Sequence, residues 1–391
     1  MTAGSSSTIL LNVMTTQAHV NPVLLSWSRQ RAGLTQHALA KGLATNLDRI
    51  ESWEKGEALP TFRQAQKWAA TTHVPFGFLF LPAPPQEKLP LPDLRTVGGN
   101  IPSHPSVDLL ETIRGVLQKQ AWYLDYLKEH EQSALSFVGR FTVDSPITEV
   151  ANDIRNTIAV DVETGQRSSD EYLKHLITAA ERIGILVMRS GIVGNNTRRK
   201  LDVGEFRGFA ISDPFAPVVF INSADAPAAR LFTLLHEIAH IWIGSSGISS
   251  ASPGSDRREE VFCNAVAGEF LVPQSEFESI WRELDDWRGN LLEMTERFHV
   301  SALVIARRAL DIGRISQEEY QRFYNRELEI FRSKQKGGGS FYRNAGAKNS
   351  ARFSRSVLRE AQSGRLLLRE AGRLLGIQPS KIREYAETIG E

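Results

Sequence analysis

The sequence predicts an α+β fold that is mostly α-helical, and three observations lead to this class. Segments with helical periodicity dominate both ends of the chain, before and after a central β-rich segment. That segment holds three short runs rich in β-branched and aromatic residues. Residues 332–391 hold 13 Lys and Arg against 5 Glu, or +8, while the rest of the chain carries −7. We therefore predict an N-terminal helix-turn-helix bundle, a central domain with a small sheet, and a basic C-terminal helical domain.

The composition is that of a soluble globular protein. With 391 residues, 41% of them hydrophobic and 23% charged, the chain is long enough for two or three domains. Its one cysteine, Cys263, cannot form an internal disulfide, which fits a reducing compartment, and we expect it to be a small core residue. No apolar run approaches the ~20 residues that span a membrane. Residues 1–20 lack the basic start of a secretion signal, so we expect a cytoplasmic protein with a flexible N-terminus.

Residues 21–81 are predicted to form a helix-turn-helix domain. Helices are expected at 24–32, 35–43, 46–54 and 61–70, with Gly56 ending the third. Thr35 and Asn46 are good N-cap residues for the second and third helices. A short turn separates these two helices, which is the spacing of a helix-turn-helix motif.

Two uses of this predicted domain remain open. Asn46, Leu47, Asp48, Arg49 and Glu51 lie at or next to the start of the third helix, where side chains would face a DNA major groove. Asp48 and Glu51 are acids, which phosphates and most base edges repel. The domain therefore either reads DNA or keeps the helix-turn-helix scaffold for contacts with proteins.

A proline-rich linker is predicted over residues 82–105, which contain seven prolines and the pair Gly98-Gly99. Beyond it, residues 106–331 are predicted to form one domain. It is expected to begin with helices at 107–131, 147–159 and 169–183, followed by strands at 184–189, 206–212 and 217–222. An antiparallel sheet packed on the next helix is the arrangement of a zincin-like domain. Its edge strand could bind an extended peptide by strand addition.

An H-E-x-x-H string runs from His236 to His240, within an apolar stretch without Gly or Pro that is predicted to be a buried helix. The i, i+4 spacing places both imidazoles on one face of that helix, with Glu237 beside them. Such a group can bind zinc and activate a water molecule. The alternative is a helix that carries two polar positions by chance.

A second apolar helix is predicted from Glu260 to Pro273. The 20 residues from His240 to Glu260, with a loop over 244–256, allow the chain to reverse and bring Glu260 to the histidines as a third ligand. Asn264, one turn later, could accept a hydrogen bond from the other ring N–H of a ligating histidine. Two His and one Glu, with water in the fourth position, are the ligands of a hydrolytic Zn²⁺ site. We therefore predict a zinc site with Glu237 as the general base.

The C-terminal part is predicted to be helical, with helices at 276–287, 291–298, 300–310 and 316–332. The tether Gly337-Gly-Gly-Ser340 opens the basic domain over 332–391. Residues 368–385 again have helix-turn-helix spacing, and the second helix carries Lys381 and Arg383. Nucleic acid is one partner that this charge would suit, and an acidic protein surface is the other.

Five stretches of the chain resemble the ImmA/IrrE metallo-endopeptidases of the long form, which carry an Xre-type helix-turn-helix in front. They are the H-E-x-x-H helix and residues 50–56 (IESWEKG), 75–81 (PFGFLFL), 90–96 (PLPDLRT) and 260–273 (EVFCNAVAGEFLVP). The resemblance is strongest over residues 21–320 and looser across the C-terminal region.

The resemblance implies an endopeptidase that cleaves a helix-turn-helix repressor or antitoxin and so controls transcription in a mobile element or a stress response. By motif position it places zinc ligands at His236, His240 and Glu260, and the catalytic acid/base at Glu237. The alternative is a DNA-binding regulator or antitoxin-like protein whose metal domain senses or holds a partner. Pairing through like helix-turn-helix surfaces would also allow a homodimer, and no membrane partner is expected.

Overall fold

The computed structural model of the protein describes residues 16–85, 105–158, 169–249, 258–298, 300–334 and 348–389. These residues form two compact units: one contains the residues up to 85 together with 105–110, and the other contains the residues from 111 onward. No helix within these ranges is long and apolar enough to cross a membrane. Most of the predicted flexible N-terminus and linker, and the whole glycine tether, lie outside the described residues.

Within residues 16–85, the N-terminal unit contains the helices α1 (Pro22–Arg31), α2 (Gln36–Leu43), α3 (Leu47–Lys55) and α4 (Phe62–Thr71) and the 3-10 helix Phe76–Phe80. The side chains of Thr35 and Asn46 cap α2 and α3, as expected from the sequence. Gly56 ends α3 in the left-handed conformation that favours glycine. Residues 44–46 connect α2 to α3, which is the short turn that the helix-turn-helix prediction requires.

The core of this unit forms around two tryptophans. Trp53 of α3 and Trp68 of α4 meet edge to face, with ring centroids 6.1 Å apart. The indole N–H of Trp68 donates to the hydroxyl of Ser28 in α1 at 2.9 Å. Arg29 and Glu54 form a bidentate ion pair at 2.6 and 3.0 Å, which ties α1 to α3. These contacts fix the position of α3 within the unit.

The second unit is a mixed α and β structure. It contains α5 (Val107–Glu129) from residue 111 onward. The elements that follow, in chain order, are α6 (Ile147–Ile158), α7 (Ser169–Arg182), β1 (Leu186–Ser190), β2 (Gly208–Ile211), β3 (Val218–Asn222), α8 (Pro227–Trp242), β4 (Gly247–Ser249), α9 (Arg258–Leu271), α10 (Gln274–Ile280), α11 (Leu291–Phe298), α12 (Ala302–Asp311) and α13 (Gln317–Lys334). The predicted class, mostly α with a small sheet, is confirmed.

The strands form one mixed sheet in the order β1-β3-β2-β4. β2 pairs antiparallel with β3 and β4, but β1 runs parallel to β3, so the prediction of an antiparallel sheet is wrong for β1. The connection over residues 191–207 is long enough for the chain to pass one strand position before β2 begins. β3 and β2 occupy the two inner positions of the sheet, and all of their residues are buried.

Helix α8 is the buried centre of this unit. It packs against β2, β3, α7 and α9, and its apolar residues Leu231, Leu234 and Ile238 are fully buried. At its C-terminal end, the indole N–H of Trp242 donates to the carboxylate of Asp153 in α6 at 2.7 Å. A helix that is covered on several sides can hold polar side chains in a fixed place, which is what a metal site requires.

The predicted helix over 276–287 is wrong in its second half, because α10 ends at Ile280. Trp281 leaves the helix in an extended conformation. The side-chain amide of Asn290 then accepts from the backbone N–H of Arg282 and donates to its carbonyl, both at 2.9 Å. These side-chain bonds replace the helical ones, and a 3-10 turn, Trp287–Asn290, follows.

The C-terminal region contains α14 (Ala351–Gln362), α15 (Leu368–Leu375) and α16 (Ile382–Ile389). Helix α14 was not among the predicted elements. Its first residue, Ala351, donates its backbone N–H to Glu181 of α7 at 3.0 Å, and Arg352 donates to the hydroxyl of Tyr123 in α5 at 2.8 Å. These contacts join α14 to α5 and α7, and the predicted C-terminal domain over 332–391 stays a prediction.

Candidate metal centre

Helices α8 and α9 bring together the three predicted ligands. The Nε2 atoms of His236 and His240 lie 3.1 Å apart, because the i, i+4 spacing stacks the two imidazoles on one face of α8. Glu260 of α9 contacts both histidines: its Oε2 atom lies 3.3 Å from Nε2 of His236, and its Oε1 atom lies 3.3 Å from Nε2 of His240. The ligand atoms all lie within 4.8 Å of one another. We call this group the metal triad.

The metal triad has the donor set of a zinc site. It offers two imidazole nitrogens and one carboxylate, in side chains that are only 2% to 12% exposed. Among the described residues, no other group of three such side chains lies close enough to hold a metal ion. The three donors converge on one point from two helices, so the residues present fit a divalent cation.

The charges within the metal triad depend on one another. Burial raises the pKa of Glu260, but hydrogen bonds with His236 and His240 outweigh burial and hold this pKa well below its usual range. Burial lowers the pKa of both histidines, yet Glu260 raises that of His236, and Cys263 together with Glu260 raises that of His240 to about 10. A cation bound there would displace the imidazole proton, as metal binding to histidine generally does.

Glu237 lies beside the metal triad and is fully buried. Neither of its carboxylate oxygens has a hydrogen-bond partner in the described part of the chain. Burial raises the pKa of Glu237 to about 7, although His236 and His240 act in the opposite direction. An unpaired buried carboxylate costs free energy. A carboxyl group with this pKa is suited to take up and release a proton near neutral pH.

The metal triad lies within residues 180–310, a stretch of the chain that matches the IrrE N-terminal-like domain. The family model is that of the M78 peptidases, which are metal-dependent, so the match supports a metallopeptidase of the ImmA/IrrE type. Residues 349–388 match a domain of unknown function, DUF8813. No curated protein matches the chain.

Within the IrrE-like domain, strand β2 passes close to Glu237 at Gly208. A Cβ atom at this position would lie 2.7 Å from Glu237 Oε1 and 2.8 Å from the carbonyl oxygen of Phe220. Both distances are shorter than the contacts that real Cβ atoms make, so only glycine fits at position 208, between strand β3 and the side chain of Glu237. Sequence analysis missed this residue. The available signal was a glycine inside a strand run, which often marks a close approach of the backbone to another group.

We expect Gly208→Ala to destabilise the fold by about 1–3 kcal/mol, as overpacking of a core does. The carbonyl of Phe220 belongs to the inner strand β3, where the backbone is fixed by its pairing with β1 and β2. We therefore expect the added methyl group to displace the side chain of Glu237. A displacement of this kind can lower activity by about 10²-fold. Chemical denaturation and peptidase assays measure the two effects. The control is Gly77→Ala, since a Cβ there has no heavy atom within 4 Å. Equal behaviour of the two variants would refute this role for Gly208.

Two further residues of α9 lie next to the metal triad. Asn264 is close enough to His236 to contribute to its raised pKa. However, the Nδ1 atoms of both histidines have no hydrogen-bond partner among the residues that the structure describes. The prediction that Asn264 orients a ligating histidine through its other ring nitrogen therefore stays a prediction. Cys263 is fully buried and is not part of the metal triad.

Strand β4 also borders the site, although a loop was expected over 244–256. A Cβ atom at Gly247 would lie 3.9 Å from Cε1 of His240. Ser249 is near enough to Glu237 to lower its pKa. β4 forms one edge of the sheet. Sequence analysis missed this strand because three residues, Gly-Ile-Ser, are too few to show a strand periodicity.

The predicted recognition residues of the N-terminal unit lie on its surface. Asn46 accepts the backbone N–H of Arg49 at 3.1 Å and so caps α3. Leu47, Asp48 and Arg49 are exposed. Glu51 lies one turn further along α3 and faces Lys55 at 3.7 Å. This face of α3 is therefore accessible and carries both signs of charge.

The predicted recognition residues of the C-terminal region are also exposed, but acidic neighbours compensate their charge. Lys381 lies 2.8 Å from Glu384, and Arg383 lies 3.6 Å from Glu387. Lys381 belongs to the 3-10 turn that precedes α16 rather than to the helix itself. These ion pairs reduce the positive electrostatic potential at α16, which makes the binding of a nucleic-acid phosphate there less favourable.

Proposed function

We propose that the protein is a zinc-dependent endopeptidase and that its substrate is a helix-turn-helix repressor or antitoxin. The observation that carries the proposal is the buried metal triad of His236, His240 and Glu260 with the unpaired carboxylate of Glu237 beside it. The match to the metal-dependent M78 peptidases supports the same chemistry. Structural zinc sites are closed by four protein ligands, whereas three protein ligands leave a position for a reacting molecule.

His236, His240 and Glu260 would hold Zn²⁺, which would act as a Lewis acid on a water molecule and on the scissile carbonyl. Glu237 takes a proton from the attacking water as the peptide bond is attacked, and it later donates that proton to the leaving amine. Packing of α8 against β2 excludes solvent from the carboxylate of Glu237. This burial raises the pKa of Glu237 to about 7. Glu237 thus serves as base and then as acid within one turnover.

The pH dependence of cleavage should report the titration of Glu237. The base must be deprotonated, so kcat/KM should be full above its apparent pKa and should fall as the pH decreases through it. We expect this acid limb between the ordinary value of 4.5 and about 7, because burial raises the pKa and a bound cation opposes that rise. A pH–rate profile of the zinc-loaded protein measures the limb. An identical acid limb in Glu237→Gln would assign the titration to another group.

The substrate class is argued from the resemblance and from surface chemistry. Helix-turn-helix domains often pair through like surfaces, and the exposed face of α3 offers such a surface on this chain. The acids Asp48 and Glu51 suit a protein partner better than DNA phosphates. The edge strand β4, next to Glu237, could hold an extended segment of the substrate by strand addition.

The direct test is incubation of the zinc-loaded protein with the products of neighbouring genes, with cleavage read by mass spectrometry. We expect one helix-turn-helix protein to be cut at a defined bond by the wild type and not by Glu237→Gln. The alternative, a DNA-binding regulator, would be favoured by specific operator binding with a steep salt dependence together with normal repression by His236→Ala. That pair of results would reject the peptidase proposal.

If the N-terminal unit holds the substrate, charge reversal on α3 should weaken cleavage of the protein but not of a short peptide. We expect Asp48→Lys to lower kcat/KM for the cleaved protein by about tenfold, because like charges at an interface suppress association. The control is Glu57→Lys, an exposed position just after α3. Kinetics on the intact substrate and on a peptide spanning its cleavage site separate docking from chemistry. Equal losses for both substrates, or for both variants, would argue against docking through α3.

A further inference from the structure

A cavity of about 210 Å³ lies where the C-terminal helices meet the rest of the second unit. None of its lining residues belongs to the metal triad. Three of them are basic: Lys119 of α5, Lys348 just before α14, and Arg373 of α15. None of the described residues that line it is acidic. We call it the basic cavity.

The two lysines of the basic cavity are held by neutral groups only. Lys119 Nζ donates to the side-chain oxygen of Asn349 at 2.6 Å. Lys348 Nζ donates to the side-chain oxygen of Asn195 at 2.8 Å and to the carbonyl of Gly194. These acceptors orient the ammonium groups but carry no charge. None of the described residues that line the cavity therefore compensates the positive charge of the two lysines.

The lysines are close enough to repel each other. Burial, and after it the charge of Lys348, lowers the pKa of Lys119 to about 8. Burial also lowers the pKa of Lys348. Two partly buried cations without a carboxylate between them destabilise a fold unless an anion joins them.

Arg373 differs from two other surface arginines of the same region. Arg365 forms a bidentate ion pair with Glu360, and Arg383 faces Glu387. Arg373 is exposed and forms no ion pair with any residue that the structure describes. Arg373 lines the basic cavity, and a guanidinium is a planar group of donors that can bind an oxyanion.

We propose that the basic cavity binds a phosphate group, either as the free ion or as part of a small phosphorylated molecule. Two ammonium groups and one guanidinium are the side chains that phosphate oxygens prefer. The volume lies below the ~300–1,000 Å³ of pockets for drug-sized ligands, so it suits one phosphate group with little else enclosed. Bound phosphate would neutralise the cations and join α5, the loop after β1 and α15.

The test is isothermal titration calorimetry of the full chain with inorganic phosphate and, separately, with adenosine monophosphate. We expect binding of at least one of them at millimolar or lower concentration. Competition between the two would show one shared phosphate site, and binding of inorganic phosphate alone would identify the free ion as the ligand. Potassium chloride at matched ionic strength should give no binding heat.

Arg373→Ala provides the decisive variant, and Arg369→Ala is its control on the same helix outside the cavity. Loss of a charge-assisted hydrogen bond should weaken phosphate binding about tenfold in Arg373→Ala. Arg369→Ala should bind like the wild type. The proposal is overturned if neither phosphate compound binds the wild type, if both variants lose affinity equally, or if only duplex DNA binds in an Arg373-dependent way.

Discussion

Glu237→Gln is expected to retain bound zinc and to lose peptidase activity by about 10²–10⁴-fold, the contribution of a positioned general base. Glutamine has the shape of glutamate but cannot take a proton from water. Glu237 is not part of the metal triad, so its neutral replacement should leave the donor atoms of His236, His240 and Glu260 in place. The substitution also removes an unpaired buried carboxylate, so the fold should not become less stable.

Zinc content, thermal unfolding and kcat/KM on the same preparation separate the possible outcomes. Loss of activity together with loss of zinc would mean that Glu237 supports the metal rather than the chemistry. Cleavage by Glu237→Gln at the wild-type rate would contradict the assignment of this residue as the base. The exposed substitution Glu370→Gln on α15 is a matched control and should leave both zinc content and activity unchanged.

Glu260→Gln should weaken zinc binding by more than about 100-fold, since even residues that only support metal ligands contribute 10–100-fold to affinity. Glu260 provides the only carboxylate of the metal triad, and its charge balances both histidines. An amide would offer a weaker, neutral oxygen. Activity at limiting zinc should therefore disappear and should recover in part when zinc is added in excess.

Cys263→Ala is the matched control for this loss, because Cys263 lies on the same helix and is completely buried but is not part of the metal triad. We expect it to keep stoichiometric zinc. A competition titration with a zinc indicator measures both affinities. Equal loss of zinc in the two variants would show that the ligand set is different from the metal triad.

Local patterns were sufficient to predict from the sequence that His236, His240 and Glu260 come together. The spacing of His236 and His240 dictates that they share a helix face, whatever surrounds the helix. Glu260 could be predicted because an apolar helix follows at a distance that allows the chain to reverse. The caps of α2 and α3 were also predictable, since Thr35 and Asn46 act on backbone groups within three residues.

The contacts that sequence analysis missed depend on residues far apart in the chain. The parallel pairing of β1 with β3 joins two strands that are separated in the chain by β2. The need for glycine at 208 arises only when Glu237 and the carbonyl of Phe220 converge on it. The end of α10 is determined by the side chain of Asn290, eight residues beyond Arg282. No local pattern carries such information.

The most direct test of the central claim is the anomalous scattering of crystals of the wild-type protein measured on both sides of the zinc absorption edge. We expect one strong zinc peak that lies about 2.0–2.2 Å from Nε2 of His236, from Nε2 of His240 and from a carboxylate oxygen of Glu260. A zinc-supplemented crystal with no peak at this position, or with zinc held by other residues, would contradict the account.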